Sequence, residues 1–276
     1  MTENPHAADG VAESLRERIN TAQAHTARIW NYWLGGKDNY EVDRAAGDQI
    51  RQLHPGIGEY ARADRLFLGR AVRHLVEEAG IRQFLDVGTG LPTADNTHEV
   101  AQRLAPDARI VYVDNDPLVL AHARALLTST PEGRTDYLDE DLRNVDTILE
   151  HAARTLDFSK PVGLILLGVV IFIGDDEDPY GVVRRLVDAL PEGSHLVLSH
   201  TITSPSMPDV DEAVKFWNEH GTPKLTQRTG EQIARFFDGL ELLEPGVVSC
   251  SRWRPEGGDG SLPDEVAMFG GVARKR

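Results

Sequence analysis

QFLDVGTGLPT, residues Gln83–Thr93, decides how the chain is read. An apolar run, Phe84, Leu85 and Val87, ends in Gly88-Thr89-Gly90. Beyond it a second apolar run, Arg109–Val113, ends in Asp114. This is a strand feeding a glycine loop, a helix, and a second strand tipped by an acid, the first half of a nucleotide-binding α/β unit. Two glycines let the backbone turn tightly and let a ligand approach closer than a Cβ would permit. The N–H groups at the start of the following helix would face that ligand. A carboxylate at the tip of the second strand can accept both hydrogen bonds of a ribose diol.

Two details choose among nucleotides. A dinucleotide fingerprint wants a third small residue where Thr93 stands, and has no use for Pro92. Asp86, two residues before Gly88, would repel a pyrophosphate and attract an ammonium group. S-adenosylmethionine (SAM) carries an ammonium and a sulfonium, whereas NAD and FAD bring two phosphates. The D-x-G-x-G pattern with Asp114 therefore points to SAM, against the bland alternative of a ligand-free strand–turn–helix.

Outward from this stretch, βα alternation continues. Strands are expected at Thr135–Leu138, Val162–Leu167 and His195–Ser199, with helices over about 95–104, 117–127, 145–153 and 180–190. Val162–Leu167 is a continuous apolar run, as a central parallel strand covered on both faces should be. After residue 199 the pattern loosens, with helices expected at Asp209–Glu219 and Glu231–Phe237 and closing strands at Leu240–Leu243, Val247–Ser251 and Val266–Ala273. The fold class expected is α/β, a Rossmann-like doubly wound, mostly parallel sheet. Upstream, residues 59–79 read as an amphipathic helix, 45–53 as a short one, and 11–34 as another stopped by Gly35-Gly36. The expected division is a disordered tail at 1–10, an N-terminal helical extension or lid at 11–58, and one SAM-binding domain at 59–276.

Composition narrows the partners. The 276 residues carry a formal net charge of −15, which disfavours a nucleic-acid substrate. One cysteine, Cys250, excludes an internal disulfide and a cysteine-ligated zinc site. The N-terminus lacks an apolar signal core, and the longest apolar run, Val162–Ile173, is too short to span a bilayer. A soluble cytoplasmic protein without a membrane partner is expected. Oligomeric state is not encoded legibly.

The stretches ARIWNYWLGGKDNYEVDR (Ala27–Arg44), FLDVGTGLPT (Phe84–Thr93), VYVDNDP (Val111–Pro117), IFIGDD (Ile171–Asp176), LVLSH (Leu196–His200) and FGGVARK (Phe269–Lys275) resemble the class I, Rossmann-like SAM-dependent methyltransferases. More narrowly they are similar to a bacterial S-adenosyl methyltransferase family once catalogued as a domain of unknown function. The resemblance implies that Gly88, Thr89 and Gly90 bear the methionine part of the cofactor. It implies that Asp114 binds the ribose hydroxyls, that Asn115 packs near the adenine, and that Asp141 with the backbone of Leu142 binds the adenine amino group. The residues support this, since Asp141 follows a strand at the carboxyl edge; its alternative is a helix cap.

Three further groups are weighed. Asp175–Asp178 is either a divalent-cation site or, as favoured here, a solvated loop capping the next helix. His200, at the end of the fifth strand, is the one weak candidate for a general base, against a half-buried structural histidine. Lys37–Asp43 is either a polar inter-helix loop or a lid in which Asn39 or Tyr40 meets the methionine carboxylate. Arg28, Trp30 and Trp33 precede it; such aromatics mostly pack, although a sulfonium attracts aromatic faces.

The function expected is SAM-dependent methyl transfer to a small-molecule acceptor, cationic or neutral, without a metal, with selectivity set by residues 11–58 and 201–230. An NAD-dependent oxidoreductase, an aminopropyl transferase and a non-catalytic SAM-binding protein remain as alternatives.

Overall fold

The computed structural model describes residues 20–126, 128–256 and 261–276; the expected tail at 1–10 lies outside them. Five parallel strands carry the fold: β1 (Gln83–Val87), β2 (Arg109–Asp114), β3 (Arg134–Asp139), β4 (Gly163–Leu167) and β5 (His195–Thr201). Three later strands are β6 (Glu241–Leu242), β7 (Val248–Ser249) and β8 (Met268–Arg274). The sheet order is β3-β2-β1-β4-β5-β8-β6, with β7 also paired to β8. β8 runs antiparallel between β5 and β6, pairing Ser199 with Gly270 and Leu242 with Ala273. The expected α/β fold is therefore observed.

The order has a functional consequence. β2 and β3 build outward from one side of β1, and β4 and β5 from the other. The chain switches direction at β1, and a crevice opens beyond the carboxyl ends of β1 and β4, where open α/β sheets bind ligands. β1 is buried at all five positions, and Leu164, Ile165 and Leu166 of β4 are at most 1% exposed. Strands covered on both faces need no alternation, which is why β4 is uninterruptedly apolar and β1 is broken only by Gln83 and Asp86.

Helices α1 (Thr26–Trp33), α2 (Glu41–Leu53) and α3 (Ile57–Glu77) precede β1. Then come α4 (Thr97–Leu104), α5 (Pro117–Leu126), α6 (Val145–Ala152), α7 (Pro179–Asp188), α8 (Pro208–His220) and α9 (Gly230–Ala234). α3 buries Tyr60, Asp64, Phe67, Leu68, Ala71 and Leu75 along one face. Phe67 meets Trp253 edge-on at 5.4 Å between centroids, a pair worth about 0.5–1.5 kcal/mol beyond its buried area.

The N-terminal segment departs from expectation at two places. The helix expected over 11–34 begins, within the described residues, only at Thr26. The Arg28 guanidinium accounts for this: Nη2 donates to the carbonyls of Asn20 and Gln23, and Nε to Asp43. Carbonyls held by a side chain are withdrawn from a helical ladder. The helix expected at 45–53 begins earlier, at Glu41, because Asp43 Oδ2 accepts from the Tyr40 N–H at 2.9 Å and closes a capping box. No helix among the described residues is long and apolar enough to cross a membrane.

Candidate active site

The crevice at the switch point encloses about 270 Å³. Its floor is the glycine loop. Gly88 has φ +78°, and a Cβ there would lie 2.4 Å from Val169 Cγ2; both handedness and space demand glycine. Gly90 has φ +68°, and its N–H donates to Asp114 Oδ2 at 2.8 Å. Asp114 Oδ1 accepts from the Asp116 N–H at 2.9 Å. Each carboxylate oxygen thus keeps a lone pair for a second donor. Asp86, 5% exposed, is held by Thr97 Oγ1 at 2.6 Å, so the first residue of α4 orients the acid that ends β1.

On the β3 side, Asn115 Nδ2 donates to Asp141 Oδ2 at 3.3 Å, and buried Leu142 completes the wall. Arg143 grips Asp141 at 3.0 Å, Glu177 at 2.7 Å and the Phe172 carbonyl at 2.8 Å. It ties the loop after β3 to the loop after β4. Asp141 does not cap α6, whose N-cap is Asn144.

Thus Asp86, Gly88, Thr89, Gly90, Asp114, Asn115, Asp141 and Leu142 line one crevice. Asn39, Tyr40 and His200 do not. Asn39 Nδ2 donates to Asn31 Oδ1 at 2.9 Å and to the Gly36 carbonyl. Tyr40 packs with Leu91, Leu118 and Val119 beneath the Arg28 guanidinium. The N-terminal segment reaches the crevice through Thr26, Trp30 and Asn31 instead. His200 is fully buried; Nδ1 meets the Thr201 carbonyl at 2.9 Å and Nε2 meets Arg228 at 2.7 Å. Burial pulls its pKa down to about 3, the backbone bond to Thr201 opposing and the neighbouring Arg228 adding to it. A neutral histidine braced by a guanidinium is a structural group.

Three of the four acids after β4 are engaged. Asp178 Oδ1 accepts from the Gly181 N–H as the N-cap of α7, Glu177 binds Arg143, and Asp175 binds Arg228. These bonds match the capping-loop reading.

Thr26, Asn31 and Arg143 on the wall escaped sequence reasoning, as did Asp64 and Arg65 of α3. The signal was present, for Asp64 lies four residues after Tyr60 and three before Phe67, on the apolar face. An acid there is only 4% exposed. Asp64, Asp86 and Asp114 all have carboxyl pKa values pushed up to about 6, chiefly by burial. Three such acids in one crevice favour a cationic ligand, which would restore their ionisation.

A family model described as S-adenosyl methyltransferase matches residues 12–276. The carboxy-S-adenosyl-L-methionine synthase of Chromohalobacter salexigens is 33% identical over 225 residues, 75% of this chain and 74% of that protein. A crystal structure of a DUF574 family protein from Streptomyces avermitilis is 44% identical, with a TM-score of 0.89, covering 94% of this chain and all of that one. Another, from Thermobifida fusca and assigned as a methyltransferase, is 41% identical with a TM-score of 0.85, covering 92% and 96%. The glycine loop, the acid at the end of β2 and these likenesses agree, and the chain belongs to the S-adenosyl methyltransferase family.

Proposed function

We propose that the crevice holds SAM with its adenosine toward β2 and β3 and its methionine part over the glycine loop, and that the methyl acceptor is a small molecule. The protein is a SAM-dependent methyltransferase by family; the residue roles and the acceptor class are our reading. Bound SAM supplies a methyl group on a sulfonium that leaves as a neutral thioether. Asp114 would accept the two ribose hydroxyls on the lone pairs left by Gly90 and Asp116. Asn115, Asp141 and Leu142 would frame the adenine. Asp86, with Asp64 beside it, would attract the ammonium, and Arg65 the carboxylate. Trp30 would present an aromatic face near the sulfonium.

The observation that carries the reading is Asp114: a carboxylate at the end of β2, preset by the glycine loop itself, with one free lone pair on each oxygen. The NAD alternative lacks support, because three buried acids would repel a pyrophosphate. A net charge of −15 argues against a nucleic-acid acceptor. The one cysteine, Cys250, is free and buried, which suits a reducing cytoplasm.

Calorimetry with S-adenosylhomocysteine (SAH), SAM and NAD tests the assignment. SAH and SAM should bind and NAD should not; heat from NAD alone would move the crevice to a dehydrogenase. The carboxy-SAM synthase relative raises a second reading, in which the chain forms a SAM that bears an added carboxylate. In that reading Arg65, half-buried on the crevice wall, would meet the added carboxylate instead of that of the methionine part. Mass spectrometry of the ligand carried through purification separates the two.

A further inference from the structure

A second cavity, of about 60 Å³, adjoins the first and shares Thr26, Trp30 and Phe172 with it as common walls. It lies on the β4–β5 side, away from Asp114 and Asp141, where the reactive end of a cofactor laid out as above would point. Its walls come from α1–α3 on one side, the turn after β4, and α8 on the other. Trp33, Ile57, Ile171, Val214 and Trp217 make them largely apolar. Among the described residues no aspartate, glutamate, lysine or arginine lines it. A water needs roughly 10–15 Å³ of such space, so the chamber has room for several waters or one small ring.

Its polar groups are few. Tyr60 Oη and Thr201 Oγ1 lie 2.6 Å apart, and burial holds the Tyr60 phenol protonated, well above its ordinary range. The remaining titratable group is His54, at 9% exposure. Its Nδ1 lies 2.5 Å from Asp209 Oδ2, and its Nε2 is buried with no hydrogen-bond partner among the described residues. Asp209 sits in the first turn of α8, so the pair is assembled from residues 155 apart in sequence. The Asp209 carboxyl is held below its usual range, first by its bond to His54. In the neutral ring a carboxylate on Nδ1 holds the proton there, and Nε2 is then the acceptor. An orphaned buried lone pair costs free energy unless a ligand uses it.

Resting on the methyl-transfer reading above, we propose that this chamber is the acceptor site, that it takes a neutral aromatic hydroxyl compound of about one ring, and that His54, oriented by Asp209, is the base. The acceptor's O–H proton passes to His54 Nε2. The oxygen's electron pair forms the new bond to the methyl carbon, and the carbon–sulfur pair returns to sulfur, leaving SAH. The proton then leaves to solvent from a neutralised site. Asp209 orients and stabilises the imidazolium and is a positioning residue. Trp30 separates the two cavities and is the contact both ligands share.

The test uses the full chain with p-cresol as the probe. SAH is titrated by calorimetry first, and p-cresol is then followed by tryptophan fluorescence of the SAH-loaded protein. Formation of the methyl ether from SAM is read by mass spectrometry. Wild-type protein should bind p-cresol saturably and methylate it on oxygen. Val214→Phe should fill the chamber, losing p-cresol binding at least tenfold while keeping SAH affinity within twofold. His54→Gln should keep both affinities and lose methylation about 100-fold or more. If Val214→Phe fails to fold, Ile171→Phe fills the same space from the opposite wall. SAH binding without any p-cresol response, or His54→Gln as active as wild type, overturns the proposal. An equal or tighter response to benzylamine overturns the neutral-hydroxyl assignment. Absence of SAH binding in the wild type fails the SAM reading itself and is distinguishable from all of these.

Discussion

The two halves of the cleft are built in opposite ways. The cofactor half comes from consecutive βα turns, each a few residues long: Asp86–Gly90, Asp114-Asn115 and Asp141-Leu142. The other half is assembled from segments far apart in sequence, α1–α3 and the stretch from Thr201 to Leu225. Local chemistry dictates the first half, because a strand end, a glycine with positive φ and an acid must be neighbours in sequence to be neighbours in space. Packing dictates the second. His54 meets Asp209 only because α2 and α8 lie side by side. A ligand common to the whole family can be held by the first kind of site, while an acceptor is chosen by the second.

The comparison can be broken most forcefully at Gly88. Gly88→Ala puts a Cβ at φ +78° against Val169. The backbone alone costs about 1–2 kcal/mol, and the collision adds to it. SAH binding by calorimetry should fall beyond detection while circular dichroism still shows the α/β fold. Retained micromolar binding would show that the loop does not shape the site.

The second effect is on pH. Asp64, Asp86 and Asp114 bind protons up to about pH 6 in the free protein. A ligand that brings an ammonium and donating hydroxyls, as SAH does, needs them ionised, so binding lowers their pKa values and releases protons. SAH affinity should therefore weaken as pH falls through 6, by about tenfold per pH unit for each carboxylate that must ionise. Affinity flat from pH 7 to 5 would remove these acids from the ligand.

A smaller effect separates His200 from catalysis. His200→Gln should cost about 1–2 kcal/mol at pH 7, through the lost bond to Arg228, and leave methyl transfer intact. The folded His200 has its pKa near 3, below that of the unfolded chain. The unfolded chain therefore takes the proton first, and wild-type stability falls as pH drops below about 6.5. The gap between wild type and variant should close by about 2 kcal/mol between pH 6.5 and 5, as urea melts would show. A gap that widens with acid would mean His200 is protonated in the fold.

The smallest effect is expected at Asn39. Its side chain braces Asn31 and Gly36 and does not line the crevice. Asn39→Ala should change SAH affinity less than about threefold, since only bracing hydrogen bonds of about 1 kcal/mol each are lost, none of them to the ligand. A larger loss would place Asn39 on the ligand.

Legibility follows the same division. β4 announces itself because a doubly covered strand is apolar throughout, as in Leu164–Leu166, whereas the half-buried edge strand β3 carries Asp136 and Asp139 and is read only from its place in the βα alternation. Asp114 could be read because it ends such a run at the right distance from Gly90. The place of β8 could not, since its pairing with β5 and β6 depends on chain returning from the far end. The start of α1 was misplaced because it is set by Arg28 reaching back to Asn20 and Gln23, contacts with no periodicity. Lys37–Asp43 looked like the lid because polar side chains are dense there. Asp43 is spent on capping α2 and Asn39 on bracing the loop, and the N-terminal segment meets the crevice through Thr26, Trp30 and Asn31. Asp64 was readable and overlooked: an acid on an apolar stripe needs a reason.

The central claim is that Asp114, preset by Gly90, holds the ribose of a SAM-type ligand, and SAH calorimetry of wild type beside Asp114→Ala tests it most directly. The account predicts micromolar binding by the wild type, weakened at least tenfold by Asp114→Ala with the melting temperature measured in parallel. Equal affinity in the two proteins, or no heat with SAH and SAM in the wild type, would contradict it.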